Sequence, residues 1–317
     1  MGRGGRSLRG GAGGRLTLDT DRDFLLPLIN DLGGRFMAKF VGALAALMLC
    51  ASPVLAAGAM MTAEEKVATD QALSRGQLIY RLDKAAWVAT DAMLAQLKKN
   101  EIADVRGGWI VETNGDTDTV TFLGLNGEKL QGVFVAEVKD GKVTRTRKIA
   151  AADRTDLTPA QLRLAKATNT ARVGATNAKF LLCAAKPFNT VVVPPASEAD
   201  AIDVYLLTPQ TKTGVIPFGG HHKVTVSADG SAKARPYTRS CLDMGAPPST
   251  KGTPVGLTVS HLLDPTPTEI HVFSSLAAKL PVYVATTSNG AGWAIENGAI
   301  RKLDLKASAP PAPPKQP

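Results

Sequence analysis

Aromatic residues make up only 5% of this 317-residue chain, histidine occurs four times and cysteine three times. The sequence has no Gly-rich phosphate loop, no Gly-x-Ser-x-Gly elbow, no His-Glu-x-x-His pair and no internal repeat. Those absences remove P-loop nucleotide chemistry, the nucleophile-elbow hydrolases, the helical zinc proteases and the solenoids from consideration. The longest early apolar run, Phe40 to Leu49, is too short to cross a bilayer comfortably.

That run is nevertheless informative. Met37 opens MAKFVGALAALMLCASPVLAAGA, with Lys39 before the apolar stretch, Pro53 as a breaker and small residues at Ala56 and Ala57. These are the parts of a secretory signal peptide, with Val54-Leu55-Ala56 in the cleavage pattern. Residues 37–56 are read as that signal, in preference to a core helix or a single membrane anchor. A lipoprotein site at Cys50 is disfavoured by the bulky Leu49 before it. Because signal peptides begin at the translation start, residues 1–36 (Gly/Arg-rich, without apolar period) read as a mis-extended, disordered N-terminus. The expected location is periplasmic or secreted after cleavage near Ala56.

Without residues 1–56, Cys183 and Cys241 are the remaining cysteines and are expected to form one disulfide in an oxidising compartment. The charge becomes 30 Lys+Arg against 24 Asp+Glu. The basic residues are scattered along the sequence, without a stripe of the kind that binds nucleic acid.

Periodicity gives the elements. Thr62-Ala-Glu-Glu65 is a capping box that starts a helix of about three turns, ending near Gly76. Gln77–Arg81 reads as a short strand, and Asp83 as the cap of a second helix to Lys99, with Trp87, Leu94 and Leu97 on its apolar face. From Trp109 to Arg147 the period is two, with Asn114-Gly115, Asn126-Gly127 and Asp140-Gly141 as hairpin signals; this predicts a four-stranded antiparallel meander whose last, cationic strand is an edge. Thr158-Pro-Ala-Gln161 starts a helix to about Ala178. Strands follow at 188–193, 201–208, 214–218, 221–227 and 231–238. The stretch 256–300 then reads as strand, capped helix, strand, turn and strand. The fold class is α+β. A region at 57–180 holds helices and the meander; a region at 181–306 holds a mainly antiparallel sheet with one capped helix. Residues 307–317, Pro-rich, form a disordered tail.

The candidate chemistry lies in residues 221–271, which hold all four histidines. His261 ends a strand facing a helix start, with Asp264 and Glu269 close by; these three are the candidates for a hydrolase, in its metal-dependent form a site around His261. His221 and His222 follow Gly219-Gly220 and are candidate ligand-binding residues, although neighbours on a strand point to opposite faces. Trp87, Trp109 and Trp293 each read as a packing anchor; Trp293, after Ser288-Asn-Gly-Ala-Gly292, is alternatively the candidate for lining a ligand cleft. Against chemistry, Thr266-Pro-Thr-Glu269 is itself a capping box that would occupy Glu269, and His271 sits two residues further on, facing elsewhere.

Ser260-His261, then Thr266-Pro-Thr-Glu269, then the strand at 282–286 are similar in order to the JAB/MPN metalloprotease family, where a strand ending in His-x-His-Pro precedes a Ser-x-x-Asp helix start. Leu263 stands at the second histidine position, and the spacer is several residues shorter. The resemblance, confined to 256–300, implies a relative of that fold without its zinc, and no catalytic residue follows from it. The chain as a whole resembles the uncharacterised signal-peptide-bearing proteins of Gram-negative bacteria, which implies export. The sequence therefore predicts an exported, non-enzymatic binding or structural protein. No cofactor or metal is expected, nor a nucleic-acid partner; the expected partner is an envelope component or a small ligand, with membrane contact only during export. The alternative is the hydrolase.

Overall fold

The structure, a computed structural model, describes residues 59–245 and 254–305. The N-terminal extension 1–36, the signal-peptide stretch 37–56 and the tail 307–317 lie outside the described residues. Four helices and fourteen strands are described, an α+β fold in which an N-terminal helix precedes the meander.

The first helix departs from the expected order. Helix α1 runs unbroken from Ala63–Gln96, so Gln77–Arg81 is helical and Asp83 lies mid-helix. The Thr62 box is formed, with Glu65 N–H donating to Thr62 Oγ1 at 3.2 Å and Thr62 N–H to Glu65 Oε2 at 2.9 Å. Gly76, which reads locally as a stop, is instead a contact point. A Cβ placed there would lie 2.5 Å from Val272 Cβ and 2.6 Å from the Glu269 carbonyl, so two helix backbones meet at that residue. The helix ends at Leu97, and Lys98 leads into the short α2, Lys99–Ile102. Its buried face carries Ile79, Leu82, Ala86, Ala89 and Met93, the three-and-four spacing of a core-facing stripe. Trp87 lies off this stripe and is 49% exposed, under the Lys84 ammonium at 4.3 Å, so it does not anchor the core.

The meander forms as β1 Val105–Asn114, β2 Thr117–Asn126, β3 Lys129–Lys139 and β4 Lys142–Lys148, paired in sequence order. The turns sit one residue later than the Asn-Gly dipeptides suggest. Asn114 pairs with Thr117 and Asn126 with Lys129, leaving Gly115 and Gly127, both at positive φ, as the first central residues; this is the type II′ arrangement. Asp140-Gly141, both at positive φ, form the type I′ turn. One face of the meander buries Val111, Val120, Phe122, Phe134, Ala136 and Val138 against α1.

Helix α3, Pro159–Asn177, starts at the Thr158 box and has Ala167, Ala171 and Ala175 on its buried side. It packs on the sheet β5-β6-β8-β9, formed by Asn189–Val193, Ile202–Leu207, His222–Val226 and Ala232–Pro236. Strands β5 and β6 are covered twice. Val192, Ile202, Val204 and Leu206 face α3, while Val191, Val193, Tyr205 and Leu207 face α1. Double coverage explains why Val191–Val193 and Val204–Leu207 read as continuous apolar runs.

The short β7, Val215–Pro217, pairs with β10, Asp243–Gly245. The last sheet has the order β11-β12-β13-β14, from Leu257–His261, Val282–Thr286, Ala291–Glu296 and Ala299–Leu303, one strand more than expected. Its β11 and β12 run parallel, joined over α4, Glu269–Ala278; the other pairs are antiparallel. Cys183 and Cys241 are joined in a disulfide, with Cα atoms 5.3 Å apart. Among the described residues no helix is long and apolar enough to cross a membrane.

Candidate functional site

The N-terminus of α4 gathers most of the polar side chains singled out above. The helix begins at Glu269, not at Pro267. Thr268 is therefore the cap residue, and Glu269 is the first helical residue, too early to reach back in a capping box. His271 takes that place: its Nδ1 accepts from the Thr268 N–H at 3.0 Å. The Glu269 carboxyl group is thus released from capping and turns inward, at the positive end of the helix dipole.

There it meets two residues absent from the sequence reading. Tyr237 Oη donates to Glu269 Oε1 at 2.5 Å and Tyr205 Oη to the same oxygen at 3.1 Å. The tyrosine rings stack with centroids 6.4 Å apart. Burial, and next the neighbouring charge of Glu269 for Tyr205 and the partner tyrosine for Tyr237, push both phenols well above their ordinary range. Both remain protonated donors.

Beside this cluster runs a second chain of contacts. Arg235, at the end of β9, donates from Nη2 to both Asp264 oxygens at 2.6 Å, and its guanidinium lies 4.8 Å from the Tyr237 ring centre. Asp264 Oδ2 also meets His261 Nε2 at 2.9 Å. Burial alone would raise the Asp264 carboxyl; the His261 hydrogen bond and the Arg235 charge outweigh it and hold the group below the usual carboxylate range. Burial likewise works against the Arg235 charge, and Asp264, with Tyr237 and Glu269, more than restores it. The His261 and His271 rings meet edge to face at 4.6 Å, and the His261 carbonyl accepts from Thr287 N–H at 3.0 Å.

His221 and His222 go to opposite sides of their strand. His221 Nδ1 accepts from the Thr208 N–H at 3.1 Å, which leaves Nε2 to donate to the Pro217 carbonyl at 2.9 Å. Complete burial pushes His221 down to about 4, and burial pushes His271 down to about 3, so both imidazoles are held neutral. His222 stacks on Phe180 at 4.3 Å and meets Phe188 edge-on. Trp293 is fully buried and donates from Nε1 to Thr286 Oγ1 at 3.1 Å, which makes it a core residue and not the wall of a cleft.

The structure therefore brings His261, Asp264, Glu269 and His271 together with Arg235, Tyr205 and Tyr237, and leaves His222 and Trp293 elsewhere. Each acid is engaged by donors from the chain itself: Glu269 by two phenols, Asp264 by an arginine and a histidine. Among the described residues no group of three His, Cys, Asp or Glu is placed to hold a metal ion. The network's chemistry is that of a polar bolt, fastening β6 and β9 of one sheet to β11 and α4 of the next. Two shallow depressions lie away from it, on the outer face of the meander, lined in part by Glu112, Thr119, Val135, Glu137 and Arg147.

The sequence did hold a signal for the missed partners. The chain has only four tyrosines, and Tyr205 stands inside an apolar strand, where a buried hydroxyl requires an acceptor. Compared with known proteins, the chain matches no family model, no curated protein and no solved structure.

Proposed function

We propose that this is an exported, non-enzymatic protein of the periplasm or cell envelope that binds a partner or serves a structural role. The observation that carries the non-enzymatic reading is the commitment of Asp264 and Glu269 to internal donors. A hydrolase working around His261 would need at least one of these acids turned toward a substrate or a metal. Export is supported by the signal-peptide pattern of residues 37–56, and the Cys183–Cys241 disulfide is compatible with an oxidising compartment.

The test is expression of the full chain in a Gram-negative host, with fractionation, N-terminal sequencing and metal analysis of the product. The expected product is periplasmic, begins near Ala57, and carries no stoichiometric zinc. Cytosolic material that retains residues 37–56 would sink the export reading. Zinc near one per chain that is lost on His261→Ala would replace the binding reading with the hydrolase.

A further inference from the structure

The excess positive charge of the chain is unevenly placed. Residues 157–242 contain ten Lys+Arg and four Asp+Glu, which accounts for the whole net charge that remains without residues 1–56. Helix α3 carries Arg163, Lys166 and Arg172 and no carboxylate, and it leads directly to the disulfide. The two segments that flank this bond, 179–186 and 239–242, add Lys179, Lys186 and Arg239, again without an acid; the first acid beyond them is Asp243. All three cations are exposed.

The same two segments hold leucines on the outside. Leu182 is 63% exposed, Leu242 39% and Leu181 36%. One exposed leucine needs no explanation. Here Leu182 and Leu242 each adjoin one cysteine of the bond, so they share one corner of the molecule. The base under them is tightly built. A Cβ at Gly220 would lie 2.5 Å from Cys183 Sγ, and one at Gly219 would lie 2.4 Å from the Ser240 carbonyl. Phe180 stacks on His222, whose Nε2 approaches the Leu181 carbonyl at 3.4 Å. The leucines are therefore presented outward by a fixed platform and not by a loose loop.

We propose that this disulfide corner, formed by Lys179, Leu181, Leu182, Lys186, Arg239 and Leu242, docks onto the surface of an anionic lipid bilayer. Leucine tips among cations suit a surface that is negative at the headgroups and apolar just beneath. A small soluble anion would use the cations and leave the leucines without a role. A nucleic acid would call for stacking aromatics, and this corner exposes none. The proposal deepens the envelope reading, on which it rests for a membrane to be met. It departs from the expectation that membrane contact ends with export.

Vesicle flotation tests it with the protein recovered from expression of the full chain. The vesicles are phosphatidylcholine with or without phosphatidylglycerol, at low and at high salt. The expected result is binding to the anionic vesicles only, lost at high salt. Lys179→Gln, Lys186→Gln and Arg239→Gln together should weaken it about 100-fold, at roughly 5-fold per cation. Leu182→Ser with Leu242→Ser should weaken it several-fold, with circular dichroism unchanged in both variants. Binding that is equal on neutral vesicles, absent from anionic ones, or unchanged in the glutamine variant would overturn the proposal. So would full binding by the serine variant, which would mark the corner as a site for polyanions in general. Flotation does not depend on export, so failure here and failure of the fractionation experiment remain distinct.

Discussion

At Glu269 one buried carboxyl oxygen accepts hydrogen bonds from Tyr205 and Tyr237, whose rings are themselves fully enclosed. Removing one donor leaves the acceptor buried with fewer partners than its environment was built to supply. Tyr237→Phe should therefore cost about 1–3 kcal/mol in urea denaturation. The same change made in a Glu269→Gln background should cost clearly less, because the interaction it removes is already altered. Equal costs in both backgrounds would show that Tyr237 stabilises the fold independently of the Glu269 acid group. His261 belongs to the same bolt but through another arm. Its partner Asp264 is held by Arg235, so the two acids answer to different donors.

Among the elements, the crossing of α1 over α4 depends on the smallest residue in the long helix. Gly76→Ala would gain about 1 kcal/mol of helix propensity. It would also drive a methyl group into the Val272 side chain and the Glu269 carbonyl. Overpacking of this kind costs about 1–3 kcal/mol and the carbonyl cannot move aside, so a net loss of stability is expected by thermal or urea unfolding. A stabilised Gly76→Ala protein would mean the helices do not meet there. This residue also shows why part of the fold was legible and part was not. Hairpins and capping boxes are local, so the meander from Val105 to Lys148 and the starts of α1 and α3 could be read from neighbouring residues. The contact that makes Gly76 tolerable inside a helix comes from residues nearly two hundred positions away, and no local pattern reports it. The same holds at the site: the clustering of His261, Asp264 and Glu269 was visible in sequence, whereas Arg235, Tyr205 and Tyr237 arrive from separate strands. Glu269 leaves the capping box that Thr266 implies because the helix starts two residues later, a shift that no local pattern reports.

For the whole molecule, the buried imidazoles set a response to acid. His221 is pushed down to about 4 and His271 to about 3, against about 6.5 in an unfolded chain. As pH falls below about 6.5 the unfolded chain takes up protons that the fold refuses, so stability is lost progressively toward pH 4 and below. Asp83 acts in the opposite sense. Desolvation of its half-buried carboxyl raises it to about 6, so the folded state binds a proton that an unfolded aspartate would not yet hold. With His222 also lowered by burial, three histidines against one aspartate leave a net uptake of protons on unfolding between pH 6 and 4, each net proton worth about 1.4 kcal/mol per pH unit. Denaturation midpoints should fall across that range, and more steeply for Asp83→Asn; midpoints that rise on acidification would contradict the buried, neutral imidazoles. One further consequence follows from the clasp between the first and last described elements. Ala59 N–H donates to the Lys302 carbonyl at 3.1 Å, and Lys302 Nζ reaches Glu65 at 2.7 and 2.9 Å. Along a chain delivered from its N-terminal end, the opening turn of α1 emerges early and must wait for β14, the last strand to arrive. The clasp can close only once β14 has emerged, so the opening turn of α1 stays unfastened while the strands between them are delivered.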